Sequence, residues 1–420
     1  MTLNRPKIVW GSVQANKTKA TLSLLPLKTD LTTIPKNGMA LSHYCRMMSF
    51  FLLAVLPLGC RQGPPAPGTV TISNVEPRRD AHGEIVDAHD GCLQYFNGRF
   101  YLYGTSYGNS ASYDGTSNRY RVYSSPDLAQ WTNEGDLFRA SPVGVYYRPY
   151  VIYNAKTHKY VLWYNWYPKL WNGQTGVATS DTPTGPFTIV HPNVTLHSTS
   201  PGDGSLFADD DGTAYFIYTS LSEGSTIRIE QLTPDYLASE GKVSGILAVG
   251  AESPVLFRRH DVYYALCGPR CYACPGGTEV QVLKAFSPLG PYRANSAGDI
   301  NRFPRDKPLS NVKTETWAIS VCSSNNTDAP ANPDRTSRGV PMIIRHINAP
   351  LIAAQETWVA RIPTDGEPLY IWLGDGWDSA PDHVRGHNLQ YWSPPLKFDT
   401  NGDILPLELA ATWRLPPRKN

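Results

Sequence analysis

The chain has 420 residues and a net charge of +2, from 38 Lys and Arg against 36 Asp and Glu. A field that weak excludes nucleic acid and an anionic membrane surface as partners sought by charge. Charged residues are only 18% while aromatics reach 11%, beside 34 Gly and 36 Pro; that balance suits many short strands joined by tight loops, and the length allows one large all-β unit.

In chain order, the first feature is an apolar run, Met47 to Leu58 (MMSFFLLAVLPL), flanked by Arg46 and by Gly59-Cys60. A helix needs roughly 20 residues to span a bilayer, so this run is too short and has instead the length of a signal-peptide core. Residues 1–38 lie upstream of any sensible basic region, and Met39 or Met47 is the expected start. Leu58-Gly59-Cys60 resembles the end of a bacterial lipobox, although Pro57 departs from it; plain cleavage and lipidation at Cys60 both stay open. Residues 1–60 are therefore expected to be leader and signal, 61–75 a Pro/Gly linker containing QGPPAPG, and 76–420 the folded domain. The expected destination is outside the cytoplasm: secreted, periplasmic or lipid-anchored, with Cys60 as the sole membrane attachment and a monomer expected.

From about residue 80 a unit recurs. Its signature is an aromatic strand: Phe100 to Gly104, Tyr160 to Asn165, Ala214 to Thr219, Val262 to Gly268 and Pro368 to Asp375. Asn97-Gly98 and Asp211-Gly212 precede two of them and predict two-residue hairpin turns. A turn then follows as Ser125-Pro126-Asp127, Thr182 to Phe187 (TPTGPF) and Ser287 to Tyr292 (SPLGPY). Repeats of roughly 40 to 50 residues with three or four short strands each predict a β-propeller, here of five blades. A β-sandwich is the alternative, but it would not repeat the hairpin and the turn in step.

In a propeller the innermost strand of each blade lines the axis, so chemistry belongs just before each aromatic strand. The acids there are Asp90 in blade one, Asp203 in blade three and Glu252 in blade four; blade two offers Tyr147-Arg148-Pro149. All stand at one offset before their strands, which predicts a common depth. Two carboxyls across such a pocket can cleave a glycosidic bond: one donates a proton to the leaving oxygen, and the other activates water from roughly 6.5–9.5 Å away. A third carboxylate raises the acid's pKa by repulsion. Asp209, Asp210 and Asp211 read as a solvated hairpin tip. Cys271-x-x-Cys274 lacks a second Cys or His pair for zinc, and a loop disulfide among Cys267, Cys271 and Cys274 is expected instead, with Cys92 and Cys322 also present.

These residues resemble glycoside hydrolase family 43, whose members are five-bladed propellers, and the resemblance covers residues 83 to 415. It implies Glu252, in Glu252-Ser253-Pro254, as the acid, Asp203 as the residue that tunes it, and Asp90 as the base. Ala88-His89-Asp90-Gly91 is most similar to the exo-β-1,3-galactanase-like branch, where this stretch is commonly Ala-His-Gly-Gly. Gln355 resembles a fifth-blade Gln that holds the water in that branch, so the base is Asp90 or a water held by Gln355. Arg148-Pro149 and Gly374-Asp375-Gly376-Trp377 resemble further motifs of the branch, but Tyr147 stands where a sugar-binding Glu is usual. The substrate-binding set is then His89, as a hydrogen-bonding group, with Tyr147, Arg148, Trp166 and Trp377; Trp163 and Trp171 are further stacking candidates. No cofactor is required; some family members hold an axial calcium, with His346 the nearest candidate here. The implied function is a glycosidase, inverting, on galactan, arabinan or xylan chains or side chains. The rival is a non-catalytic carbohydrate-binding propeller.

Overall fold

Strands that are aromatic or apolar at nearly every position cannot leave either face in water, so they must be sandwiched between sheets. In a computed structural model of the chain this is how the five aromatic segments sit. They form Arg99–Ser106, Lys159–Tyr167, Ala214–Ser220, Val262–Pro269 and Leu369–Gly376, each the second strand of its blade. The structure describes residues 69–416 except 111–117, 141–143, 169–172, 270–278, 297, 299, 301–342, 347–348 and 378. All of these belong to one unit, Pro65–Asn420; the expected leader, Cys60, Trp171, Cys271, Cys274 and Cys322 lie outside the described residues.

Each aromatic strand pairs antiparallel with an inner strand: His89–Phe96, Val145–Asn154, Pro201–Ala208, Ala251–Arg259 or Gln355–Ile362. Outer strands complete five such sheets among the described residues, in sequential up-and-down order. The aromatic side chains build the core, with Tyr103, Trp163, Tyr218, Tyr264 and Trp372 at 0% exposure.

Buried polar tips need partners, and several find them in a neighbouring blade. Tyr103 Oη donates to Pro183 O (2.7 Å), Trp163 Nε1 to Tyr236 O (2.7 Å) and Ser205 Oγ to Pro254 O (2.9 Å). Tyr370 Oη donates to Arg258 O (2.9 Å), and Trp358 Nε1 to Leu93 O (3.1 Å). One such bond therefore crosses every interface of the ring. The ends of the domain meet too: Val70–Ser73 pairs with Thr412–Leu415, and Asn74 beside them exchanges hydrogen bonds with the backbone of Trp392 in blade five.

The Asn97-Gly98 turn is the predicted two-residue hairpin, with φ of 48° and 88° between the paired residues Phe96 and Arg99. The Asp211-Gly212 turn is not. Ala208 pairs with Ala214, so residues 209–213 form a longer loop, and Asp209 is buried rather than solvated. It accepts from Arg258 Nη1 (2.6 Å) and from the Tyr263 hydroxyl, and that cross-blade pairing draws the loop inward.

Candidate active site

All five inner strands lose register at the same end. The breaks lie between His89 and Cys92, Tyr147 and Pro149, Pro201 and Gly204, Glu252 and Val255, and Glu356 and Trp358. A bulge bends its strand and re-aims the side chains around it. Three bulges hold a non-glycine residue in the left-handed region: Asp90 (φ 52°), Arg148 (φ 50°) and Ser253 (φ 56°). Such backbone persists only where its surroundings enforce it. The equal offset expected of the acids is corrected here. Asp90 is itself the left-handed bulge residue, Glu252 is the last paired residue before its bulge, and Asp203 lies within the Pro201–Gly204 break.

Asp90 is buried, at 4% exposure. Its Oδ1 accepts from Thr105 Oγ1 (2.7 Å) and the Arg148 N–H (3.1 Å), and its Oδ2 from the Tyr107 hydroxyl (2.8 Å). A carboxylate oxygen has two acceptor positions, so one remains on Oδ2. Burial pushes the carboxyl up to about 6, against the Arg148 charge and the Thr105 hydroxyl, which pull it down. Its own N–H donates to Asp375 Oδ2, and Asp375 Oδ1 pairs with His89 Nδ1 at 3.0 Å. Burial drags the His89 imidazolium down, but Asp375 and Asp87 outweigh it and raise the group to about 9. His89, 0% exposed, is thus a buried cation under the bulge and not a sugar contact.

Arg148 is not on the pocket surface either; it is 3% exposed. Its Nε pairs with Asp203 Oδ1 at 3.0 Å, and its Nη2 donates to Ser253 Oγ at 2.6 Å. Ser253 Oγ in turn donates to Asp203 Oδ2 at 3.1 Å. Arg148 therefore touches Asp90 through its backbone and Asp203 through its side chain, and it ties both to the turn that carries Glu252. Desolvation of a guanidinium is tolerated only with such partners.

Glu252 is half-buried, and its Oε1 accepts from Gln355 Nε2 at 3.1 Å. The Gln355 carbonyl accepts from Trp377 Nε1 at 2.7 Å, which fixes which end of the amide faces the acid. Trp377 is 8% exposed and lies beside the rings of His89 (5.9 Å) and Tyr107 (5.6 Å). Glu356, next to Gln355, is buried; Trp372 Nε1 donates to its Oε2 at 2.8 Å, and burial pushes it up to about 8.

Tyr147 is half-buried, with its ring edge-on to Tyr167 at 5.4 Å. Sequence reasoning passed over Tyr167. Burial, then the charges of Asp203 and Glu252, push its phenol well up. The period-two alternation of its strand held the signal, since Tyr167 shares a face with Trp163, the face packed on Phe216 of blade three. Trp166 takes the other face and donates to Pro192 O at 2.8 Å, while Trp163 is core. Asp375 and Ser253 stood inside motifs named from the sequence, but their bonding roles did not show there, because their partners lie 285 and 105 residues away along the chain.

Among the described residues no group of three or more His, Cys, Asp or Glu could hold a metal ion. The guanidinium of Arg148 supplies the cation between Asp203 and Ser253. His346 ends the strand Ile343–His346, with its side chain outside the described residues.

A five-bladed propeller whose axial mouth gathers Asp90, Asp203 and Glu252 around one arginine defines a carboxylate-centred propeller class. The sequence profile of glycosyl hydrolases family 43 matches residues 86–313, more than half of the chain. The chain belongs to that family. No curated protein matches it. Among solved structures it is similar to a family 43 β-1,3-galactosidase, with 21% identity over 83% of this chain and 64% of that one and a TM-score of 0.62. It is also similar to an exo-β-1,3-galactanase from Phanerochaete chrysosporium, solved as a Glu→Gln variant with β-1,3-galactotriose (21%, 83% and 68%, TM-score 0.60). A third is an exo-β-1,3-galactanase from Clostridium thermocellum (21%, 81% and 66%, TM-score 0.60). The chain thus spans about two thirds of the length of these proteins, and the likeness establishes the fold.

Proposed function

We propose that the chain hydrolyses O-glycosidic bonds of galactan-type plant polysaccharides with inversion, acting on terminal β-1,3-linked galactosyl units. The observation that carries this reading is the pair Asp203 and Glu252, half-exposed carboxylates at one mouth with separate tethers. Glu252 is the acid. Gln355 donates to it, and Asp203 is held one residue away through Ser253. Asp203, paired with Arg148 and bonded to Ser253, is the residue that tunes the acid. Asp90 is the base, with the vacant acceptor position of Oδ2 for the attacking water. Gln355, held by Trp377, steadies that water and the acid together. Tyr147, half-buried and braced edge-on by the buried Tyr167 ring, offers an apolar face to a sugar where the galactanase-like branch has an acid. Arabinan and xylan side chains are the alternative substrates, and export on the Met47–Leu58 signal belongs to the same reading.

Release of galactose from β-1,3-galactan, followed for native protein and variants, tests it. Glu252→Gln should lower kcat about a thousandfold with the melting temperature unchanged, and Asp90→Asn should lower it about a hundredfold or more. Since the base must be ionised, native kcat/KM should rise with pH through about 6, and Asp90→Asn should remove that limb. Near-native turnover by Glu252→Gln would remove the acid assignment. If the chain retains galactan without cleaving it, the binding-propeller reading replaces this one.

A further inference from the structure

A built cavity lies away from the axis. It is a cleft of about 510 Å³ in the side wall where the connector from blade two to blade three crosses the outer strand of blade three. That is within the roughly 300–1,000 Å³ range of small-molecule sites.

Its floor is built rather than incidental. Glu230 is 1% exposed, and its Oε1 accepts from Tyr218 Oη (2.5 Å) and from the His197 N–H (2.8 Å), while its Oε2 accepts from Ser239 Oγ. Those bonds lock the connector, the central strand and the outer hairpin of blade three around the cleft. One wall is aliphatic, from Leu196, Leu237 and Val243, and the other is polar, from Asn193, Thr195 and the imidazoles of His191 and His197. No Lys or Arg lines it. A phosphate or carboxylate ligand would meet the Glu230 carboxylate on the floor with only the two imidazoles to set against it, and a purely apolar ligand would strand the amide, imidazole and hydroxyl groups. A ligand with C–H faces and many hydroxyls satisfies both walls.

We propose that this cleft is a second, non-catalytic site that holds a neutral saccharide unit of a polysaccharide. The inference rests on the carbohydrate reading above and extends it to a surface away from the acids. The connector that forms its polar wall continues directly into Pro201, where the Asp203 strand begins, so the two sites share one rigid segment. A chain anchored in the cleft raises the local concentration of its own ends at the axis. Small substrates gain nothing from it.

The test compares β-1,3-galactan with an aryl β-galactoside. Thr195→Trp fills the cleft from an exposed position, and Asn193→Ala removes one polar contact with little risk to folding. Thr195→Trp should raise KM on galactan about fivefold and leave kcat/KM on the aryl galactoside within about twofold of native. In a Glu252→Gln background the same change should weaken retention in galactan-containing native gels. Native KM and retention in both cleft variants, with aryl galactoside still hydrolysed, would overturn the cleft and spare the glycosidase. Failure of the native chain to cleave or retain either substrate would instead overturn the carbohydrate reading, and the cleft proposal with it.

Discussion

At the scale of single residues, the site is an exercise in paying for buried charge. His89 is a cation at 0% exposure, kept charged by Asp375 and Asp87 and raised to about 9 from 6.5. A group whose pKa is higher in the fold than in the unfolded chain contributes stability that is fully present below the unfolded value and fades as pH climbs through the folded one. Stability should therefore fall between pH 6.5 and about 9, as seen in thermal melts, and Asp375→Asn should flatten that decline. A native profile that is level across the window would show that His89 is neutral in the fold. Asp90 has the same sign in a lower pH window. It is a carboxyl pushed up to about 6 by burial, so the fold holds its proton more tightly than the unfolded chain does and loses stability as pH rises towards 6. Maintaining an ionised Asp90 at neutral pH is a cost that the Arg148 N–H, Thr105 and Tyr107 partly offset.

At the scale of the strand, the recurring device is the bulge at the axial end of each inner strand. It converts a ladder in which side chains point into neighbouring blades into a short stretch that points at the axis. Blade one shows how tightly this is built. A Cβ on Gly91 would lie 2.0 Å from the carbonyl oxygen of Tyr103, backbone that has nowhere to go. Gly91→Ala should cost about 1–3 kcal/mol through overpacking and displace Asp90, so galactan hydrolysis should fall with the melting temperature. If stability drops while kcat/KM holds, the bulge does not position the base. Trp166 and Tyr167 belong to this scale as well: adjacent residues of a strand face opposite ways, so the two rings serve different faces of blade two.

At the scale of the whole molecule, the ring is held by the hydrogen bond that crosses each blade interface and by the pairing of its two ends. Asn74 is the joint. Its Nδ2 donates to Trp392 O (2.9 Å) and Ala410 O (3.0 Å), and its Oδ1 accepts from the Trp392 N–H (2.9 Å). Asn74→Ala leaves that buried N–H without its acceptor, a loss of about 1–3 kcal/mol. The melting temperature should drop with kcat unchanged, because the joint lies at the outer side of blade five, remote from the acids. Lost activity at a temperature where the variant is fully folded would show that closure of the ring shapes the mouth.

The amino-acid sequence by itself determined the strands, the five-fold repeat, the Asn97-Gly98 hairpin and the short list of acids. Each of these rests on local rules: aromatic strands must be covered on both faces, Asn-Gly supplies two residues of positive φ, and few carboxylates precede the buried strands. Only the tertiary structure decided what Arg148 and His89 do, that Asp375, Ser253 and Tyr167 belong to the site, that Trp166 serves the other face of its blade, and that Asp209 is buried. Those outcomes depend on register at a bulge and on partners one or more blades away. A single step in register exchanges one face of a strand for the other, and no local pattern records which charge will be waiting on the far side of the ring.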